Sequence, residues 1–283
     1  MKIQTVMAGF FKLDGGPMFG VVPRVLWSKM NPPNEQNQCS WAMRSLLIET
    51  GNRKILVDTG IGLKQDEKFR SIFSAEGPEA IDSLKEIGIP AEEITDVFLT
   101  HLHFDHAGGA LKKDESGHII PAFPNATYWS NEVHYDWAYE SNPREAASFL
   151  KENFVPLKEQ GLLQMLPVQK EDLHWMDDIF IRYVYGHTTA MMILNIPLDQ
   201  NRRLWYPTDL IPSRWHIRQP YIAAYDLRPL DALEEKKRLL DDIAGTEDVL
   251  CFEHDPGLEA ATIYKNDRGR FALRKEGNLE EFL

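Results

Sequence analysis

Between Phe98 and Gly109 the chain reads FLTHLHFDHAGG, which sets His101, His103, Asp105 and His106 within six consecutive positions of a chain with nine histidines in all. Imidazole nitrogens and carboxylate oxygens are the donors that hold zinc and neighbouring divalent ions. In an extended segment residues i and i+2 point the same way, so His101 and His103 can reach one point in space. Asp105 and His106 follow where the chain turns, near enough to serve a second ion beside the first, and Gly108-Gly109 lets the backbone leave that turn. Phe98, Leu99 and Phe104 are apolar and bury the segment, and buried imidazoles require partners.

One turn cannot complete such a site. Three later segments share a design in which an apolar run ends abruptly in a ligand-type residue: RYVYGHT with His187, RLWYPTD with Asp209, and VLCFEHD with His254. Positioning these residues takes a framework of strands. SLLIET and KILVDTG read as a hairpin across Gly51-Asn52-Arg53. TDVFLTH is nearly all apolar, as a strand buried on both faces must be. Before it, PEAIDSLKEIGIP spaces Ile81, Leu84 and Ile87 at helical intervals and stops at Gly88 and Pro90. Residues 131–160 read as helical, with Asn131 as N-cap and an amphipathic pattern in REAASFLKENFVPLKEQG. DIFIRYVYG, MMILNIPL and RRLWYPTD return to strand, PLDALEEKKRLLDDIAG to helix, and DVLCFEH to strand. A closing hairpin turns at Asn266-Asp267-Arg268-Gly269. The order predicts an α/β protein, an αββα sandwich of two mixed β-sheets flanked by helices, with residues 1–283 as one domain.

Composition narrows the partners. A net charge of −12 without a Lys/Arg run argues against nucleic acid and favours neutral or cationic small-molecule ligands. No apolar run reaches the roughly 20 residues of a bilayer span, and the N-terminus lacks the pattern of a secretory signal. Cys39 and Cys251 read as reduced core thiols. The expectation is a soluble cytoplasmic protein with a small-molecule substrate, no nucleic-acid or membrane partner, and a homodimer as an open arrangement. His118, His134 and His174 fall in polar or helical contexts and are expected on the surface.

The succession HxHxDH, GHT, Asp, His, together with the LVDTG turn that carries Asp58 and Gly60, resembles the metallo-β-lactamase superfamily over nearly the whole chain. The resemblance implies two divalent ions, zinc first, with manganese, iron or cobalt able to substitute. It puts His101, His103 and His187 on one ion, Asp105, His106 and His254 on the other, and Asp209 between them, with Asp58 supporting from outside. It further implies a metal-bridged hydroxide as nucleophile, with Asp105 and Asp209 as the catalytic carboxylates and Asp105 placed to return a proton to the leaving alkoxide. Many relatives read GHTxGH, whereas this chain reads GHTTAMM, with Met191 in place of the second histidine.

For substrate, DGGPMFGVVP and SWAMRSLLIET resemble the lactonase branch of the superfamily, which includes N-acyl homoserine lactonases, the quorum-quenching enzymes. Phosphotriesterases of the methyl-parathion-hydrolase type share the layout. Met18, Phe19, Val22 and Trp27, with Trp215, His216 and Tyr221 from DLIPSRWHIRQPYIAAYD, are the expected pocket residues. Ile211 and Pro212 stand where some lactonases carry a substrate-contacting tyrosine. The expected activity is opening of a lactone such as an N-acyl homoserine lactone. A phosphotriesterase or arylesterase on the same site is the first alternative. An inactive binding or regulatory module of the same fold is the second, and the complete ligand set argues against it.

Overall fold

The computed structural model describes all 283 residues. In chain order the elements are β1 (Lys2–Asp14), α1 (Gly15–Phe19), α2 (Arg24–Trp27), β2 (Gln38–Thr50), β3 (Arg53–Val57), α3 (Glu67–Phe73), α4 (Ala80–Glu86), β4 (Asp96–Phe98) and α5 (Phe104–Ala107). Then come β5 (Leu111–Lys113), β6 (Ile119–Pro121), β7 (Thr127–Asn131), α6 (Glu132–Tyr139), α7 (Val155–Glu159) and β8 (Leu163–Leu166). The remainder is β9 (Leu173–Met176), β10 (Ile179–Val184), β11 (Met191–Pro197), β12 (Arg203–Tyr206), α8 (Pro229–Ile243), β13 (Val249–Cys251), β14 (Ala260–Lys265) and β15 (Phe271–Gly277). The architecture is α/β, with two mixed sheets and helices. The chain divides into two compact units, Met1–Phe11 with Met43–Val168, and Lys12–Ala42 with Gln169–Leu283.

The first sheet runs β1-β2-β3-β4-β7-β8. Strands β2 and β3 form the expected hairpin, closing with Thr50 opposite Arg53. Strands β3, β4 and β7 are mutually parallel, so their C-terminal ends lie on one edge of the sheet. Loops leave that edge at Asp58 and Leu99, and α6 starts directly from it at Glu132. Strand β4 is fully enclosed, as its apolar sequence required. Its one charge, Asp96, is held by Arg53 (2.8 Å) and the Trp129 indole (2.8 Å).

The second sheet runs β15-β14-β13-β12-β11-β10-β9. Strand β11 is antiparallel to both β10 and β12, and β12 is parallel to β13. Strands β10, β12 and β13 therefore share a direction, and His187, Asp209 and His254 follow their C-terminal ends. Helix α8 buries Ala232, Lys236, Leu239, Leu240 and Ile243, one face at helical spacing. Leu239, Leu240 and Ile243 belong to the core with Ile193, Leu250 and Ile263. Fully burying a leucine such as Leu240 contributes about 1.5–3 kcal/mol.

Several stretches depart from the sequence reading. Strand β1 and the short strands β5 to β9 were not anticipated. The expected amphipathic helix after residue 143 is instead a turn, a 3-10 segment at Lys151–Asn153 and the short α7. Asn142 diverts the chain by accepting from the amides of Arg144 and Glu145 (2.9 and 3.3 Å), a local bond that competes with helix formation. In α4 only Ala80 and Leu84 are buried, and Ile87 is left exposed past its end. Cys39 and Cys251 are buried and form no disulfide, and no helix is long and apolar enough to cross a membrane.

Candidate metal centre

In the first unit the loop after β4 carries four donors, and His101, His103, Asp105 and His106 are all buried. His101 Nε2 and His103 Nδ1 lie 3.0 Å apart and converge on one point. His106 Nε2 and Asp105 Oδ2 are 3.7 Å apart. Asp58 supports this loop from a positive-φ position, φ 57°, uncommon for a non-glycine residue. It accepts from the Thr100 amide (2.8 Å), the Thr100 hydroxyl (2.6 Å) and His106 Nδ1 (3.0 Å). Gly108 does more than let the chain turn, because a Cβ there would lie 2.1 Å from the Ile61 carbonyl oxygen. Only glycine allows the Asp58 loop to approach so closely. Lys64 then donates to the Gly108 carbonyl, and burial draws its pKa down to about 7.

In the second unit Asp209 stands between two histidines. Its Oδ2 is 3.0 Å from His187 Nε2 and its Oδ1 is 2.9 Å from His254 Nε2. One carboxylate thus offers a separate oxygen to each imidazole, the geometry a bridging ligand needs. The preceding residue, Thr208, is buried at φ 45°, a strained conformation for a β-branched residue. Its hydroxyl lies 3.4 Å from Met191 Sδ, so the methionine that stands in the histidine's place is part of the strained turn.

Each histidine has its second nitrogen engaged or faced by an outer group. Thr100 Oγ1 is 3.2 Å from His101 Nδ1, Asp226 Oδ1 is 2.8 Å from His187 Nδ1, and the Ala42 carbonyl oxygen is 2.7 Å from His254 Nδ1. Glu145 Oε1 faces His103 Nε2 at 3.8 Å. The hydrogen-bonded partners of His101, His187 and His254 fix tautomers and leave one nitrogen of each of those rings to bind, as histidine ligands of metals require. Burial opposes charge on His187, yet the Asp209 and Asp226 carboxylates raise its pKa to about 10. The surroundings therefore favour a positive charge. Nitrogen and oxygen donors without thiolate, carrying oriented outer nitrogens, fit divalent metal ions.

Residues 44–254 match the family model described as the metallo-beta-lactamase superfamily. The chain belongs to the metallo-beta-lactamase superfamily. An N-acyl homoserine lactonase of Bacillus cereus is 24% identical over 240 residues, covering 81% of this chain and 86% of the relative. A probable metal-dependent hydrolase from Staphylococcus aureus superposes with a TM-score of 0.84 at 28% identity, over 97% of both chains. AidC, a dizinc quorum-quenching lactonase solved with a hexanoyl-homoserine product, superposes with a TM-score of 0.77 at 20% identity, over 99% of this chain and 97% of AidC. As a member of this superfamily with lactonase relatives, the chain is a metal-dependent hydrolase, and its donors support a dinuclear divalent-metal site.

The residues expected at the pocket gather around Phe19. Its ring stacks on Trp27 (5.5 Å) and His216 (5.4 Å), and lies 6.0 Å from Trp215 and 6.3 Å from Tyr221. Met18, Phe19, Val22, Trp27 and His216 are buried. His216 accepts from the Ser213 hydroxyl at Nδ1 (2.7 Å) and donates from Nε2 to the Met18 carbonyl (2.9 Å). Burial lowers its pKa to about 4, so this ring is neutral and clasps the N-terminal arm to the 213–216 turn. Trp215 and Tyr221 line a cavity of about 960 Å³ together with Arg214, Arg218 and Phe271.

His118 and His174 are exposed as expected, with side chains 79% and 57% accessible. His134 is not. It is fully buried, with Nε2 accepting from the Leu102 amide at 2.9 Å. The helical context that pointed to the surface was a two-turn helix starting straight from a core strand, with Asn131 capping it at the His134 amide (2.8 Å). Asp226, Glu145 and the Ala42 carbonyl went unread in the sequence because none lies near its histidine along the chain. Asp58, in its LVDTG turn, was the one outer partner expected from the sequence, and it accepts from His106 Nδ1.

Proposed function

We propose that the two groups of donors hold two divalent ions, zinc foremost, and that the enzyme opens N-acyl homoserine lactones. His101, His103, His187 and Asp209 would hold one ion, and Asp105, His106 and His254 the other, with Asp209 reaching toward the second through its Oδ1 beside His254. The observation that carries the reading is Asp209, whose two oxygens are offered separately to His187 and His254. Bound there, divalent ions supply Lewis acidity and a water activated near neutral pH.

The chain's own residues would do the rest. Asp58, Asp226 and the Ala42 carbonyl hold the imidazoles in the binding tautomer. Asp105, buried beside His106, moves a proton to the ring oxygen as the ester C–O bond breaks. Trp215 and Tyr221 face the substrate, backed by Met18, Phe19, Val22, Trp27 and His216. Both compact units act as one hydrolase domain of a cytoplasmic, quorum-quenching protein. The lactonase relatives, matched over most of their length, favour this substrate class.

The test compares rates on an N-acyl homoserine lactone, an aryl ester and paraoxon with the zinc-loaded protein. A kcat/KM on the lactone at least tenfold above the other two is expected. Equal and low rates on all three would refute lactones as the substrate class, and a preference for paraoxon would move the enzyme to the phosphotriesterases.

A further inference from the structure

The loop that carries His101 and His103 needs its intervening residue held if both rings are to converge. Leu102 lies between them with its side chain fully buried, and its amide donates to His134 Nε2 at 2.9 Å. A ring that accepts at Nε2 carries its proton at Nδ1, so this histidine is neutral and has one tautomer here. Its place is set in turn. Strand β7 is parallel to β4 and ends on the same sheet edge, and Asn131 at that end caps α6 by accepting from the His134 amide. Phe149 packs against both rings, 4.6 Å from His103 and 5.8 Å from His134, and the Ser148 carbonyl accepts from the Phe104 amide at 3.0 Å. Glu145 closes this frame on the far side of His103.

We infer that His134 is a positioning residue for metal binding, fixing through the Leu102 amide the angle at which His101 and His103 present Nε2 and Nδ1 to one ion. This rests on the metal assignment proposed above and adds a buried histidine that binds no ion itself. Without an acceptor at position 134 the Leu102 amide is buried and unsatisfied. The peptide then rotates toward another partner and carries both imidazoles with it. Outer groups of this kind typically alter metal affinity about 10- to 100-fold.

The experiment titrates cobalt into metal-free full-length protein, following ligand-field absorption, and measures zinc affinity by chelator competition. In H134F, which keeps a ring but has no acceptor, one of the two binding steps should weaken about 10- to 100-fold, with a changed cobalt spectrum. H134Q, whose amide oxygen can take the Leu102 N–H, should stay within about threefold of wild type. H134L is a second acceptor-free variant should H134F not fold. Acceptor-free protein with wild-type affinity for both ions and only a lower Tm overturns the positioning role, as does H134Q weakened as far as H134F. Wild-type protein that takes up no ion at all overturns the metal assignment as well, which separates the two failures.

Discussion

Lowering the pH from 7 to 4 forces a choice on His216. In the unfolded chain an imidazole protonates near pH 6.5, whereas burial lowers the folded value to about 4. Its Nδ1 already accepts from Ser213, and its face is covered by Phe19, so a second proton would have to break that bond inside an aromatic cluster. Between these two pH values the unfolded state binds the proton and the folded state does not, so stability must fall as pH falls. The full contribution is present above about pH 6.5 and is gone below about pH 4. A drop from 6.5 to about 4 is worth about 3 kcal/mol at 1.36 kcal/mol per pH unit.

Other histidines and carboxylates titrate in the same range, so the informative quantity is a difference. Metal-free wild type and H216N, which cannot titrate, are unfolded in urea at half-unit steps from pH 4 to pH 8. The stability advantage of wild type should shrink by about 3 kcal/mol between pH 7 and pH 4, with an unchanged m-value. A pH-independent difference would show that His216 titrates normally, and the clasp between Met18 and Ser213 would then be wrong.

Two further outcomes follow from the site. Asp209→Ala should abolish hydrolysis and lower bound metal below two ions per chain by elemental analysis, and a fully metallated, active variant would exclude the bridge. Gly186→Ala places a Cβ 2.2 Å from the Ala232 amide nitrogen, where α8 abuts the His187 loop. Such overpacking costs roughly 1–3 kcal/mol and should lower Tm by several degrees in calorimetry, and an unchanged Tm would show that the helix moves aside freely.

Much of the site was legible because its signals are local. HxHxDH packs four donors into one turn, and an apolar strand ending in His187, Asp209 or His254 announces itself within a few residues. The family resemblance sorted these residues into two ion sites, and the Asp209 geometry supports its place between His187 and His254. The elements with strong short-range patterns, the β2–β3 hairpin and α8 among them, were equally readable. The stretch after residue 143 was misread because its apolar spacing suits a helix, while the side-chain bonds of Asn142 to its own backbone do not enter a periodicity argument.

The sequence by itself determined the donors, the reaction class and the strand ends that carry them. Tertiary structure decided what orients those donors. Parallel pairing brings the loops after β3 and β4 and the start of α6 to one sheet edge, and in the other sheet it brings the loops after β10, β12 and β13 to one edge. The partners of those donors come from that pairing, from Asp226 far along the chain, and from a carbonyl at Ala42 that any residue could have supplied. His134 shows the same division most plainly. Its neighbours in sequence are helical, and only the parallel register of β4 and β7 places its ring beneath Leu102.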